Sequence, residues 1–300
     1  MAMLFDTHTN LMWHPEHLSD EFVDFAWEAK RAKMKLSDDV YFAGSDVKEA
    51  NAFDSKPEQL LAATTDVDKA IVFGIKAPFT GINCDQELIA RFVAEHSEKF
   101  VGWCSVDPND PDCVDQLEHY VNNLGLRGLK CSPIYQNWNP QDPIHLPLFR
   151  KAESLGIPVN IHQGTSFVRT GPLKYANPIQ LEDIAIACPD LRIVISHMGH
   201  PWEDECVVLI RKHPNLYTNI SALHYRPLRH YQAFMTAIEY GVDHKLIFGS
   251  DFPSATAAQV IAGQKKINDV VAGTSFPRIP DEMIHNIIYE NWKPFLPEYA

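Results

Sequence analysis

Three histidines and one aspartate stand out because each follows a short, β-branched, apolar run. They occur in Phe5-Asp6-Thr7-His8-Thr9-Asn10, Val159-Asn160-Ile161-His162, Ile195-Ser196-His197-Met198-Gly199-His200 and Ile247-Phe248-Gly249-Ser250-Asp251. Imidazole nitrogen with carboxylate oxygen is a common donor set for Zn²⁺ and related divalent ions. A catalytic site of this kind uses about three protein ligands and keeps one position for water or substrate. The ion then polarises a carbonyl or raises the acidity of water. A single histidine at the end of a strand is commonly a satisfied structural residue. Four such groups at equivalent ends point instead to one metal or substrate site.

Something must bring those ends together. Eight apolar runs recur along the chain: Leu4–Asn10, Ala70–Ile75, Phe100–Val106, Gly128–Cys131, Pro158–Gln163, Arg192–His197, Leu216–Ser221 and Lys245–Asp251. Several are continuously apolar, as strands buried on both faces are. Helical stripes lie between them, among them Leu88, Ile89, Phe92 and Val93 after Asp85, and Leu117, Tyr120, Val121 and Leu124 before Gly125. Strand–helix alternation repeated eight times predicts an α/β fold, a (β/α)₈ TIM barrel spanning residues 1–300 as one unit. Barrel active sites lie at the C-terminal strand ends, where the four groups fall. One long interruption, residues 11–68, follows the first strand. It is expected to form a helical insertion on the catalytic face, with helices at Asp20–Lys35 and Pro57–Thr64 joined by a polar stretch.

Composition narrows the function. With 26 Lys+Arg against 39 Asp+Glu, the formal net charge is −13, and no basic run occurs. A nucleic-acid partner is not expected, because phosphate contacts need a concentrated cationic footprint. No apolar run approaches the ~20 residues of a membrane span. Met1–Phe5 is too short for the core of a leader, so a soluble, cytoplasmic protein is expected. The six cysteines, with no C-x-x-C pair, read as reduced thiols. A nucleophile elbow and a phosphate-cradling glycine loop are both missing, which argues against serine-hydrolase chemistry and nucleotide cofactors.

Taken together, the four motifs, with Pro201-Trp202, Phe252-Pro253 and the junction Lys212-His213-Pro214-Asn215-Leu216-Tyr217, resemble the amidohydrolase-related family of aminocarboxymuconate semialdehyde decarboxylase. The resemblance runs from residue 4 to about 296. It implies a divalent ion on the first-strand residues, His162 and Asp251, with His197 beside the ion as an acid/base or polarising group. Asp251 could also accept a proton in hydrolytic relatives. One position departs from the pattern. The family's first strand usually reads His-x-His, whereas here it is His8-Thr9-Asn10. An amide oxygen is a poor substitute for imidazole on zinc, so Asn10 is expected as a weak ligand or an outer contact.

Four further residues are expected at or near a substrate. His200 follows His197 by three, and His224 and Arg226 follow the seventh strand. Arg226 could hold a carboxylate through two hydrogen bonds. Lys130, inward-facing by pattern on the fourth strand, is expected as a substrate-binding or structural lysine.

The expected function is metal-dependent decarboxylation of a small carboxylated aromatic or muconate-type compound. Hydrolysis of a lactone, amide or ester is the alternative, and a metal-binding support subunit is a third reading. The expected cofactor is a single divalent ion, zinc foremost, with Mn, Fe or Co accepted. The expected assembly is a homodimer, or a pairing with a related subunit.

Overall fold

The structure, a computed structural model, describes residues 2–34 and 53–300. Its framework is a parallel sheet of eight strands in sequential order: β1 (Phe5–Asn10), β2 (Lys69–Phe73), β3 (Phe100–Ser105), β4 (Leu129–Cys131), β5 (Val159–Ile161), β6 (Ile193–Ile195), β7 (Leu216–Asn219) and β8 (Leu246–Ile247). β8 is much shorter than its apolar run, because residues 248–251 turn away towards β1. They complete the circle. Thr7 N donates to Phe248 O at 3.2 Å, Asp251 N to His8 O at 2.9 Å, and Asn10 N to Phe252 O at 2.9 Å. The expected (β/α)₈ barrel is the observed fold.

The continuous apolar runs serve two packing layers, as strands covered on both faces must. Ile71 and Phe73 of β2, Val101 and Trp103 of β3, and Val194 of β6 pack with Phe5, Trp292 and Phe295. Their alternates, Ala70, Val72, Phe100, Cys104, Ile193 and Ile195, pack with the surrounding helices. Trp292 stacks edge-on against Phe5 at 5.0 Å, so the C-terminal segment seals the end of the barrel opposite the site. Gly128 makes room for this interior. A Cβ there would lie 2.2 Å from the indole of Trp103, which is fully buried.

Helical signals in the sequence map onto observed ends. Asp85 caps the helix Gln86–Glu95 by accepting from Glu87 N, and Gly125 takes the left-handed conformation after the helix Cys113–Asn122. The insertion contains helix α1 (Asp20–Met34) and helix α2 (Pro57–Ala63), close to the expected bounds. The expected polar connector between the two helices lies outside the described residues except for its last four, 53–56. After β2 comes a small antiparallel ribbon, Lys76–Ala77 with Ile82–Asn83, that periodicity did not signal. All six cysteines are buried and free. Among the described residues no helix is long and apolar enough to cross a membrane.

Replacing Gly128 by alanine should force the Trp103 ring or β4 to move. The expected cost is about 1–3 kcal/mol, typical of overpacking in a tight interior. Denaturant midpoints of wild type and Gly128→Ala measure it; an unchanged midpoint would mean that Trp103 is not held there.

Candidate metal and substrate site

The first strand aims its polar residues through a bulge. Asp6 is in register with Ala70 and Thr9 with Val72, so Thr7 and His8 together oppose Ile71 alone. Bulges of this kind re-aim side chains next to active sites. The two threonines tie the bulged strand to both neighbours. Thr7 Oγ1 donates to Phe248 O at 2.6 Å, and Thr9 Oγ1 donates to Ile71 O at 2.7 Å. The strand ends β6, β7 and β8 pass into left-handed backbone at His197, Met198, Ala222 and Asp251, with φ between 49° and 63°. Such conformations cost free energy and persist where the surrounding structure imposes them, often at functional sites.

These ends bring together most of the expected residues. His8 Nε2 lies 3.1 Å from Asp251 Oδ1. Donor atoms of His8, His197 and Asp251 all fall within 4.8 Å of one another, a grouping that fits a divalent ion in both donor type and spacing. His162 stands one hydrogen bond away, its Nδ1 3.2 Å from His197 Nε2. Its own Nε2 is buried without a hydrogen-bond partner.

Burial dominates the electrostatics. It holds His8 and His197 well below the usual imidazole range and His162 down to about 3; the Lys130 ammonium adds to the shift in all three. Desolvation penalises the charged ring, so these imidazoles are neutral, the form that ligates metals. Burial also pushes the Asp6 carboxyl up to about 6, although it accepts from the N–H groups of His8 and Ser250.

The remaining expected residues divide. Arg226 and His200 line a cavity of about 260 Å³ above His162, His197 and Asp251. Arg226 lies over the Tyr225 ring at 4.2 Å, and its Nη1 donates to Ala222 O. His200 Nδ1 lies 2.5 Å from Glu203 Oε1, a carboxylate in the first turn of the following helix. Lys130 is placed lower, inside the barrel, over the Phe73 ring. There it donates to Asn160 Oδ1 at 2.6 Å and to Ser196 Oγ at 3.3 Å. Burial lowers its ammonium to about 7. It does not line the cavity. His224 is buried against Gly263, where an added Cβ would lie 2.6 Å from its own Cβ. Asn10 gives its Nδ2 to Phe252 O at 2.8 Å, so its amide ties β1 to the loop after β8.

The walls lay outside the motif reading. Tyr135, Phe167 and Tyr225 line the cavity, together with Phe53 and Ala29 from the insertion. Phe167 stacks on Phe53 at 5.4 Å and on Phe22 at 5.5 Å, while Arg169 pairs with Glu28 at 2.5 Å. The insertion therefore sits on the catalytic face, as expected from its position after β1. Asn219 and Ser221 were also missed. They contact His8 and His197 from the end of β7, and the rule that found the histidines, polar residues at strand ends, would have found them.

Set beside known families, residues 5–291 match the amidohydrolase family. The chain belongs to that family. No curated protein matches it. Among solved structures, this amidohydrolase resembles an uncharacterised TIM-barrel protein from Bordetella bronchiseptica, with TM-score 0.74 and 17% identity over 99% of this chain and 98% of the other. A probable 2-pyrone-4,6-dicarboxylic acid hydrolase from Acinetobacter baumannii, with citric acid bound, gives TM-score 0.65 and 16% identity over 98% and 99%. A dihydroxybenzoic acid decarboxylase from a Polaromonas species, with manganese and 2-nitroresorcinol bound, gives 0.64 and 14% over 100% and 98%. At these identities the likeness shows the fold.

The electrostatics of the amidohydrolase site can be read directly. In metal-free protein, histidine ring signals of His8, His162 and His197 should stay those of neutral imidazole from pH 8 down to pH 5. Exposed histidines would titrate over that interval. A midpoint near 6.5 for any of the three would contradict the burial described here.

Proposed function

We propose that this amidohydrolase decarboxylates a small carboxylated aromatic or muconate-type compound, using one divalent ion with zinc foremost among Zn, Mn, Fe and Co. The observation that carries the reading is the convergence of His8, His197 and Asp251 beneath an aromatic-walled cavity. His8, His162 and Asp251 would hold the ion, which leaves His197, beside them, as the acid/base group. Asn10, committed to Phe252 O, is left at most a weak contributor. When bound, such an ion supplies polarisation of a carboxylate or carbonyl oxygen.

The protein's own groups account for the remainder. Phe53, Tyr135, Phe167 and Tyr225 offer faces and edges to a planar ring, while the Arg226 guanidinium can take a carboxylate through two parallel hydrogen bonds. His200, held by Glu203, can meet a second polar substituent. In decarboxylation the bond to the carboxylate carbon breaks, and the electron pair left behind takes a proton. CO₂ departs and the replacing proton comes from water, passed to the carbon by His197 and Asp251, the proposed proton carriers. The manganese-containing dihydroxybenzoic acid decarboxylase among the similar structures supports this reading.

Hydrolysis uses the same residues, with His197 or Asp251 taking a proton from water as it attacks a lactone, amide or ester. The similar hydrolase of a pyrone dicarboxylic acid favours keeping this second reading.

Incubation of the purified chain with aromatic acids, muconate-type acids and lactones separates the two. CO₂ release is expected; ring opening without CO₂ would select hydrolysis. No turnover until a related subunit is added would select the support-subunit role. Asp251→Ala should lose bound metal by elemental analysis while its far-UV circular dichroism stays unchanged. His197→Ala should lower kcat by at least ~100-fold, the scale of a lost proton-transfer group.

A further inference from the structure

The orientation of one amide determines where the imidazole protons of the site reside. Asn219, the last residue of β7 and fully buried, receives the backbone N–H of His197 on Oδ1 at 3.0 Å. A backbone N–H can only donate, so this terminus of the amide is the oxygen and the other is the NH₂ group. Ser221 Oγ lies 2.6 Å from the same oxygen. That contact needs a proton, and only the hydroxyl has one. Ser221 therefore has no proton left for His197 Nδ1, 2.7 Å away, and Nδ1 must carry the hydrogen and donate it. His197 Nε2 is then a bare lone pair. It accepts from His162 Nδ1 at 3.2 Å, which leaves His162 Nε2 bare as well, in agreement with its lack of a partner.

His8 is held the opposite way. Its Nδ1 faces Asn219 Nδ2 at 3.1 Å and must accept, so its hydrogen lies on Nε2, directed at Asp251 Oδ1 3.1 Å away. An imidazole on a metal has the reverse arrangement, a bare nitrogen towards the ion and the other N–H given to a carbonyl, carboxylate or water. His197 has that arrangement; His8 does not.

We propose that Asn219 is a positioning residue that fixes His8 as its Nε2–H tautomer, favouring the direct His8–Asp251 hydrogen bond and weakening divalent-ion binding there. The affinity half of this inference rests on the ion site proposed above; the tautomer half does not. Moving the His8 proton to Nδ1 would set it against the amide NH₂. Turning the amide to accept it would present NH₂ to the N–H of His197 and to the Ser221 hydroxyl. Asn219→Asp removes the conflict, since a carboxylate accepts on both sides.

Long-range ¹H–¹⁵N spectra of metal-free, histidine-labelled protein read the tautomers, with His8 and His197 assigned from the signals lost in His8→Gln and His197→Gln. His8 should carry its proton on Nε2, and His197 on Nδ1. In Asn219→Asp the His8 proton should move to Nδ1, and Zn²⁺ affinity by calorimetry should rise about 10- to 100-fold, the usual scale for outer partners of a ligand. Wild-type His8 protonated on Nδ1 would overturn the proposal, whether or not the variant folds. An affinity gain with an unmoved tautomer would be a charge effect and would also overturn it. A moved tautomer with unchanged affinity would overturn the affinity half. If Asp251→Ala keeps stoichiometric Zn²⁺, the ion site is refuted while the tautomer result stands.

Discussion

The hydrogen bond from Asp251 N to His8 O, 2.9 Å long, joins the last strand end to the first and so turns a sheet into a barrel. The same two residues approach each other through their side chains, His8 Nε2 to Asp251 Oδ1 at 3.1 Å. Closure and site are thus one set of contacts. β8 has only Leu246 and Ile247 in regular pairing, so the seam depends on residues 248–252 reaching across to β1. Thr7 and Asn10 spend their side chains on that seam and Thr9 spends its own on β2, which explains why the first strand contains so many hydrogen-bonding groups that never meet the cavity.

Dehydration follows from the closure. Once the seam is sealed, Asp6, His8, His162, His197 and Lys130 are all buried. A buried charge is costly unless paired, and the common response is neutralisation. The imidazoles shift down, the Asp6 carboxyl shifts up, and the Lys130 ammonium falls to about 7. Asp251 is less deeply buried than these groups and is partly exposed at the cavity floor.

Sequence patterning reached the barrel and the residues at its strand ends because both depend on local signals. Buried parallel strands read as apolar runs, and strand order follows chain order, so the sequence alone places His8, His162, His197 and Asp251 at one rim. Lys130 and His224 show the limit of that logic. Inward pattern says which way a side chain leaves the sheet and not its depth; Lys130 sits below the histidines, and His224 turns against Gly263. The aromatic walls depend on tertiary contacts between distant segments. Phe53 and Phe167 carry no mark in the sequence that pairs them. The bulge at Thr7 and His8 was likewise invisible, since an extra residue in a strand leaves the residue types unchanged.

The aromatic roof has a thermodynamic side. Phe22 and Phe53 belong to the insertion and Phe167 to the loop after β5, and the Arg169–Glu28 pair is exposed, so it adds little to holding the two segments together. A planar ring bound against Phe53 and Phe167 would bury surface on both segments at once. Its binding free energy and the docking free energy of α1 are then linked quantities. The free energy by which a docked insertion strengthens ligand binding equals the free energy by which the ligand strengthens docking of the insertion.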